Sequence, residues 1–124
     1  MTYQLLSVEL VEAIHDFVLN PGELSGRAMN KSLDGALGRV DNRLKYGLIN
    51  DVFDLAAAYA VAISQGHCFN DGNKRTAHQA MDTCLDLNGV QINWSVLDIG
   101  PIIIRTAQGL LDEGELGQWL RSRA

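Results

Sequence analysis

Nine consecutive residues, His67-Cys68-Phe69-Asn70-Asp71-Gly72-Asn73-Lys74-Arg75, place an imidazole base, a carboxylate, a glycine, an amide and two cations at the expected start of a helix. A helix N-terminus offers unpaired amides and a partial positive charge, so an anion such as a phosphate can sit there. Gly72 removes the side chain that would hold the phosphate away, and Lys74 and Arg75 add full charges beside it. His67 precedes the helix, and an imidazole with an ordinary pKa of about 6.5 beside an anion site is a natural general base for a hydroxyl nucleophile. Asp71 is expected either to cap the helix or to hold a magnesium ion bound chiefly through substrate phosphates. Phe69, between polar neighbours, is expected to pin the loop into the core. The same residues would also make a capped helix carrying a solvated ion-pair cluster.

The elements that must position this segment are legible from periodicity and caps. Ser7 can cap a first helix with an apolar stripe of Leu10, Ile14, Phe17 and Val18. Asn20-Pro21-Gly22, followed by Ser25 and Gly26, marks a long surface loop that has room to cover something. Ser32 can cap a second helix through Leu33, Leu37, Val40 and Leu44, which Gly35 and Gly38 weaken by up to about 1 kcal/mol each. After a break at Gly47, Asn50 or Asp51 caps a third helix, apolar on nearly every side from Leu55 to Ile63, as suits the middle of a bundle. Gly66 ends it. A fourth helix runs from the motif to Asn88-Gly89, with Asp71, Lys74, Arg75 and His78 on the stripe that continues as Met81 and Leu85. Val90 to Trp94 allows at most a small hairpin arm. Helical character resumes at Ser95, with Pro101 expected near a helix start or at a kink. A last amphipathic segment carries Leu110, Leu111, Leu116, Trp119 and Leu120. The expectation is an all-α bundle of six helices. His15, Cys84, Asp112, Glu113 and Glu115 have no partner at informative spacing and receive no role.

Composition narrows the function classes. The chain has 124 residues, 47% hydrophobic and 20% charged, which suits one compact domain over 1–124. Such a length hides roughly 68% of the unfolded surface, enough for a core without disulfides or a structural metal. A formal charge of −5 gives no overall drive toward nucleic acid. Cys68 and Cys84, at neither CxxC nor metal spacing, are expected to be free thiols in a reducing compartment. No basic leader followed by an apolar stretch begins the chain, and Leu55 to Ile63 is only about half a bilayer span. A cytoplasmic protein with no membrane partner is expected. The GxxxxGK[ST] phosphate loop, kinase-type glycine loops and HExxH zinc spacing are absent from the sequence.

The segment resembles the signature of the Fic/Doc family, HxFx[DE]GN[GK]R, matched at His67, Phe69, Asp71, Gly72, Asn73, Lys74 and Arg75. Gly38-Arg39-Val40, the stretch from Asp51 to Tyr59, Gly66-His67 and Asn88-Gly89-Val90-Gln91 resemble the Doc-type branch, from the second helix onward. The resemblance implies a helical bundle whose motif loop and following helix grip nucleotide phosphates. It further implies ATP and Mg2+ as cofactors, His67 as base, Asp71 as magnesium holder, and Gly72, Asn73, Lys74 and Arg75 around the phosphates. Most family members transfer AMP to a target hydroxyl. Doc-type toxins instead phosphorylate a threonine of elongation factor Tu and halt translation. Many adenylylating members have arginine where this chain has His78 and glycine where it has Lys74, and both differences favour the kinase reading. Gly72 is the general family residue and Cys68 replaces a common proline, which leaves AMP transfer open, as is a non-catalytic antitoxin-binding, co-repressor module. The [ST]xxxE[GN] helix by which many members block their own site has no match, since Ser7-Val8-Glu9-Leu10-Val11-Glu12 puts the acid one residue late. Inhibition is therefore expected from outside, by an antitoxin of the Phd kind.

Overall fold

A computed structural model of the chain describes residues 2–124 and contains six helices in order: α1 (Val8–Val18), α2 (Leu33–Lys45), α3 (Val52–Gly66), α4 (Asn73–Leu87), α5 (Val96–Ala107) and α6 (Glu113–Arg123). The all-α expectation holds. Five helices begin at a side-chain cap, as the sequence anticipates at Ser7, Ser32 and Asp51. Ser7 accepts from the Leu10 amide at 3.1 Å, Ser32 from Gly35 at 2.9 Å, Asp51 from Asp54 at 2.9 Å and Ser95 from Asp98 at 3.3 Å. The fifth, Asp112, forms a reciprocal box with Glu115, which satisfies two amides at the head of α6 and which spacing alone does not suggest. Glu113, also without an expected role, pairs with Arg43 at 3.3 Å.

Helix α3 is the axis of the molecule. Every residue from Leu55 to Ser64 is buried, and α2, α4, α5 and α6 all pack on it. Because it is apolar nearly all round and five of those ten residues are alanine, neighbours can approach on every side. α1 lies against α4, which brings an N-terminal helix face to the motif.

Two expectations change, and two others take definite form. The buried face of α1 is Val11, Ile14 and His15, and Phe17 is 83% exposed, so the apolar stripe is rotated toward a histidine. Leu110 and Leu111 fall in the turn before α6 rather than on it. Val90 to Asn93 runs as irregular chain, with no hairpin. Pro101 sits inside α5, where its ring nitrogen cannot donate to the Leu97 carbonyl one turn back. Among the described residues no helix is long and apolar enough to cross a membrane.

Candidate active site

The motif loop joins the end of α3 to the start of α4. Gly66 closes α3, but the left-handed residue that turns the chain is His67 itself, at φ 48° and ψ 42°. Gly66 is needed for another reason: a Cβ there would lie 3.0 Å from the Cys68 sulfur. From His67 the chain alternates. Cys68 and Phe69 are buried, at 1% and 3% exposure, while His67 and Asn70 face out. Phe69 is the apolar anchor expected of it. Its ring stacks on buried His15, centroids 3.9 Å apart and planes 6° from parallel.

The long loop between α1 and α2 covers this segment. Arg27 and Phe69 form an antiparallel bridge; the Ala28 amide donates to the Cys68 carbonyl at 2.8 Å and the Asn70 amide to Gly26 at 3.2 Å. The Asn70 side-chain amide adds a bond to the Ser25 carbonyl at 3.0 Å. Asn73 closes the loop from the other side. Its Oδ1 accepts from the Phe69 amide at 3.1 Å and its Nδ2 donates to the Phe69 carbonyl at 2.9 Å. The side chain expected at the phosphates is thus committed to the loop's own shape, and Asn73 meets the cavity while holding that shape.

Asp71 does not cap α4. The cap is Gly72, in the left-handed region at φ 79°, with no side-chain bond to the first turn. A Cβ at Gly72 would also meet the Arg75 guanidinium at 3.3 Å. The first amides of α4 therefore have neither an intrahelical partner nor a side-chain cap, which leaves them open to an anion. The Asp71 carboxylate instead accepts from the Leu24 amide at 2.7 Å, and its carbonyl accepts from His15 Nε2 at 2.7 Å. Since a carbonyl can only accept, the Nε2 of His15 carries a proton.

His67, Asp71, Gly72, Asn73, Lys74 and Arg75 line one cavity of about 360 Å3, together with Glu23 and Ser64. The structure so gathers every expected site residue except Phe69, which lies beneath as anchor. Arg75 is not free in it: its guanidinium donates to Glu23 at 2.5 Å. That bond, more than the Asn20 amide that also reaches Glu23, holds the Glu23 carboxyl below the usual carboxylate range. The acid that meets Arg75 comes from the loop between α1 and α2 rather than from a helix. Lys74 is exposed at the cavity rim.

Sequence reasoning missed His15 and Glu23. His15 had a signal, a histidine on the buried face of an apolar helix. Glu23 had none, because its contact with Arg75 spans 52 residues of chain. For magnesium the residues fit in a limited way. Asp71 offers one carboxylate on the cavity, and among the described residues no group of three His, Cys, Asp or Glu could cage a cation. That matches an ion held through one or two carboxylates plus phosphates.

Comparison with known proteins agrees with the motif. A family model described as Fic/DOC family matches residues 5–85. The chain is 33% identical over 117 residues to "Protein kinase doc" of Escherichia phage P1, covering 94% of this chain and 92% of that protein. The similarity reaches nearer both ends than the segments read from sequence.

Proposed function

The chain belongs to the Fic/Doc family, and from that premise and its cavity we propose that it is a Doc-type toxin: an ATP-dependent protein kinase that phosphorylates a serine or threonine hydroxyl of a target protein. The observation that carries this reading is the shared cavity. The uncapped N-terminus of α4, two cations and an imidazole open onto the same 360 Å3. The relative's description as a protein kinase supports it.

In this reading His67 takes the proton of the target hydroxyl as its oxygen attacks the γ-phosphorus of ATP. The new O–P bond forms while the bond from that phosphorus to the bridging oxygen breaks, and ADP leaves with the electron pair. Lys74, Arg75 and the first α4 amides neutralise charge on the phosphoryl oxygens, so catalysis is positioning plus electrostatics. Asn73 and Phe69 keep the loop in shape. Asp71 would hold Mg2+, which when bound supplies further neutralisation of the phosphates.

The target we propose is a threonine of elongation factor Tu, with a Phd-like antitoxin as cytoplasmic inhibitor. AMP transfer would use the same residues. Gly72, which left that chemistry open, is required here by its backbone, so it bears on the turn rather than on nucleotide orientation. Intact-mass spectrometry of elongation factor Tu after incubation with the protein, magnesium and ATP tests the reading. A gain of one phosphate is expected. A gain of one AMP would replace the kinase by an adenylyl transferase, and an unchanged mass would remove this target.

A further inference from the structure

Among the described residues three serine or threonine side chains are buried, and two of them are well satisfied. Thr76 and Thr106 each donate to a carbonyl one turn back, that of Gly72 and that of Ile102, at 2.8 Å. Ser64, 1% exposed, reaches only the Val61 carbonyl at 3.4 Å, beyond the roughly 2.5–3.0 Å of a good hydroxyl bond. A hydroxyl is costly to bury without a full hydrogen bond. Packing does not ask for one here, because where α3 needs a small side chain it uses alanine, at Ala56, Ala57, Ala58, Ala60 and Ala62.

The place of Ser64 supplies an independent observation. It is the one buried residue, among those described, that lines the His67 cavity, and it lies three residues before His67 in the last turn of α3. The Gln65 side chain donates to the Thr106 carbonyl at 3.0 Å, which ties that turn to the end of α5, whose Ala107 also lines the cavity. The cavity therefore has two kinds of lining. Lys74, Arg75 and the first α4 amides suit phosphate anions. Ser64 and Ala107 carry no charge and suit a neutral group that meets the imidazole.

An alcohol oxygen that attacks phosphorus has four directions to satisfy: its carbon, its proton, the lone pair that forms the new bond and a second lone pair. The proton goes to His67 and the first lone pair to phosphorus. A hydrogen-bond donor on the second lone pair would stop rotation about the carbon–oxygen bond and hold the other two in line. We propose that Ser64 is that donor, a residue that orients the acceptor hydroxyl of the target rather than the nucleotide. Ser64 keeps its own proton throughout; the oxygen–phosphorus bond forms, the bond to the bridging oxygen of ATP breaks, and His67 takes the acceptor's proton. This inference rests on the phosphoryl-transfer reading of the cavity.

Two measurements on the full chain test it: the rate of mass gain of elongation factor Tu with magnesium ATP, and calorimetric titration with magnesium tripolyphosphate, which carries phosphates without a nucleoside. Ser64→Ala is expected to lower kcat for transfer by at least about tenfold, to leave tripolyphosphate affinity and the KM for ATP within about twofold, and not to lower the urea midpoint. Ser64→Thr, which keeps the hydroxyl, should recover most of the lost rate, and the alanine variant decides by itself if the extra methyl unfolds the chain. A wild-type kcat in Ser64→Ala would overturn the assignment. So would a loss of tripolyphosphate affinity in proportion to the loss of rate, which would make Ser64 a phosphate ligand, or a lowered urea midpoint with the lost rate, which would make it a structural residue. A wild-type protein that transfers nothing to elongation factor Tu would overturn the kinase reading and this assignment with it, a failure visible before any variant is made.

Discussion

His67 carries the proposed chemistry from a backbone conformation that L-residues seldom adopt, although histidine is among the more tolerant. Strain of this kind persists where surrounding structure imposes it, here the bridge to Arg27, the Phe69 anchor and the Asn73 clamp. His67→Ala and His67→Gly should both fold and both lose target phosphorylation. The glycine variant should be the more stable, by about 1 kcal/mol in urea denaturation, because only it relaxes the left-handed penalty. Residual phosphorylation by either would remove His67 as the base. His15 acts one layer below. His15→Phe keeps the stack on Phe69 but strips the Asp71 carbonyl of its donor, at a cost of about 1 kcal/mol, and should weaken tripolyphosphate binding by shifting the loop; His15→Gln, which keeps a donor, should restore part of both. Glu23 works in the opposite direction. It draws Arg75 into an exposed ion pair that an incoming phosphate must compete with, so Glu23→Gln should tighten tripolyphosphate binding on the order of threefold. Weaker binding would instead make Glu23 a holder of Arg75 in its working position.

The helices show where packing overrides local preference. Gly38 lies inside α2 with no atom within 4 Å of where its Cβ would be, whereas at Gly117 in α6 a Cβ would sit 2.6 Å from Asp54 Oδ1 and 3.4 Å from the Asp54 Cα. That Asp54 oxygen is already engaged by Arg121 at 3.1 Å. Gly38→Ala should therefore stabilise by about 0.5–1 kcal/mol, and Gly117→Ala should destabilise by about 1–3 kcal/mol through overpacking at the α3–α6 seam. Opposite shifts in urea midpoint check both. The sequence reports the first effect, since helix propensity is local, and is silent on the second, which needs two helices in place. The same division runs through the site. Caps at Ser7, Ser32 and Asp51 are readable because each lies within one turn of the helix it starts. The all-round apolar pattern of α3 was readable because its burial has no competing face. The rotated face of α1 was not, because His15 looks polar until Phe69 and the Asp71 carbonyl are set beside it. Asp71 as a cap failed for a related reason: Leu24, 47 residues away, claims its carboxylate.

At the scale of the whole molecule, α3 and α4 form the buried seam from whose end the motif loop projects, and two titratable groups lie within that seam. Burial pushes the Tyr59 phenol on α3 and the Cys84 thiol on α4 up to about 12, from ordinary values of 10.0 and 9.0. The Tyr59 oxygen also accepts from the Leu6 amide at 3.0 Å, which ties the N-terminal segment to the axis. Both groups have native pKa values raised above those of the unfolded chain. Their contribution to stability is therefore full below the ordinary values, declines as the unfolded chain begins to lose protons, and is gone once pH passes the native values. The acid side has the opposite sign at His78, whose native pKa is depressed by burial. Its contribution is present above the ordinary histidine value and is lost as pH falls through the native one. The urea midpoint should then be highest near neutral pH, falling below about pH 6 and again above about pH 9. Cys84→Ala should lower the midpoint at neutral pH by opening a cavity, yet flatten the alkaline decline, because one of the protons released on unfolding, beside those of Tyr59 and of the Cys68 thiol that burial also raises, has been removed. An alkaline slope unchanged in Cys84→Ala would mean that the thiol stays protonated in both states, and that Tyr59 alone couples the seam to pH.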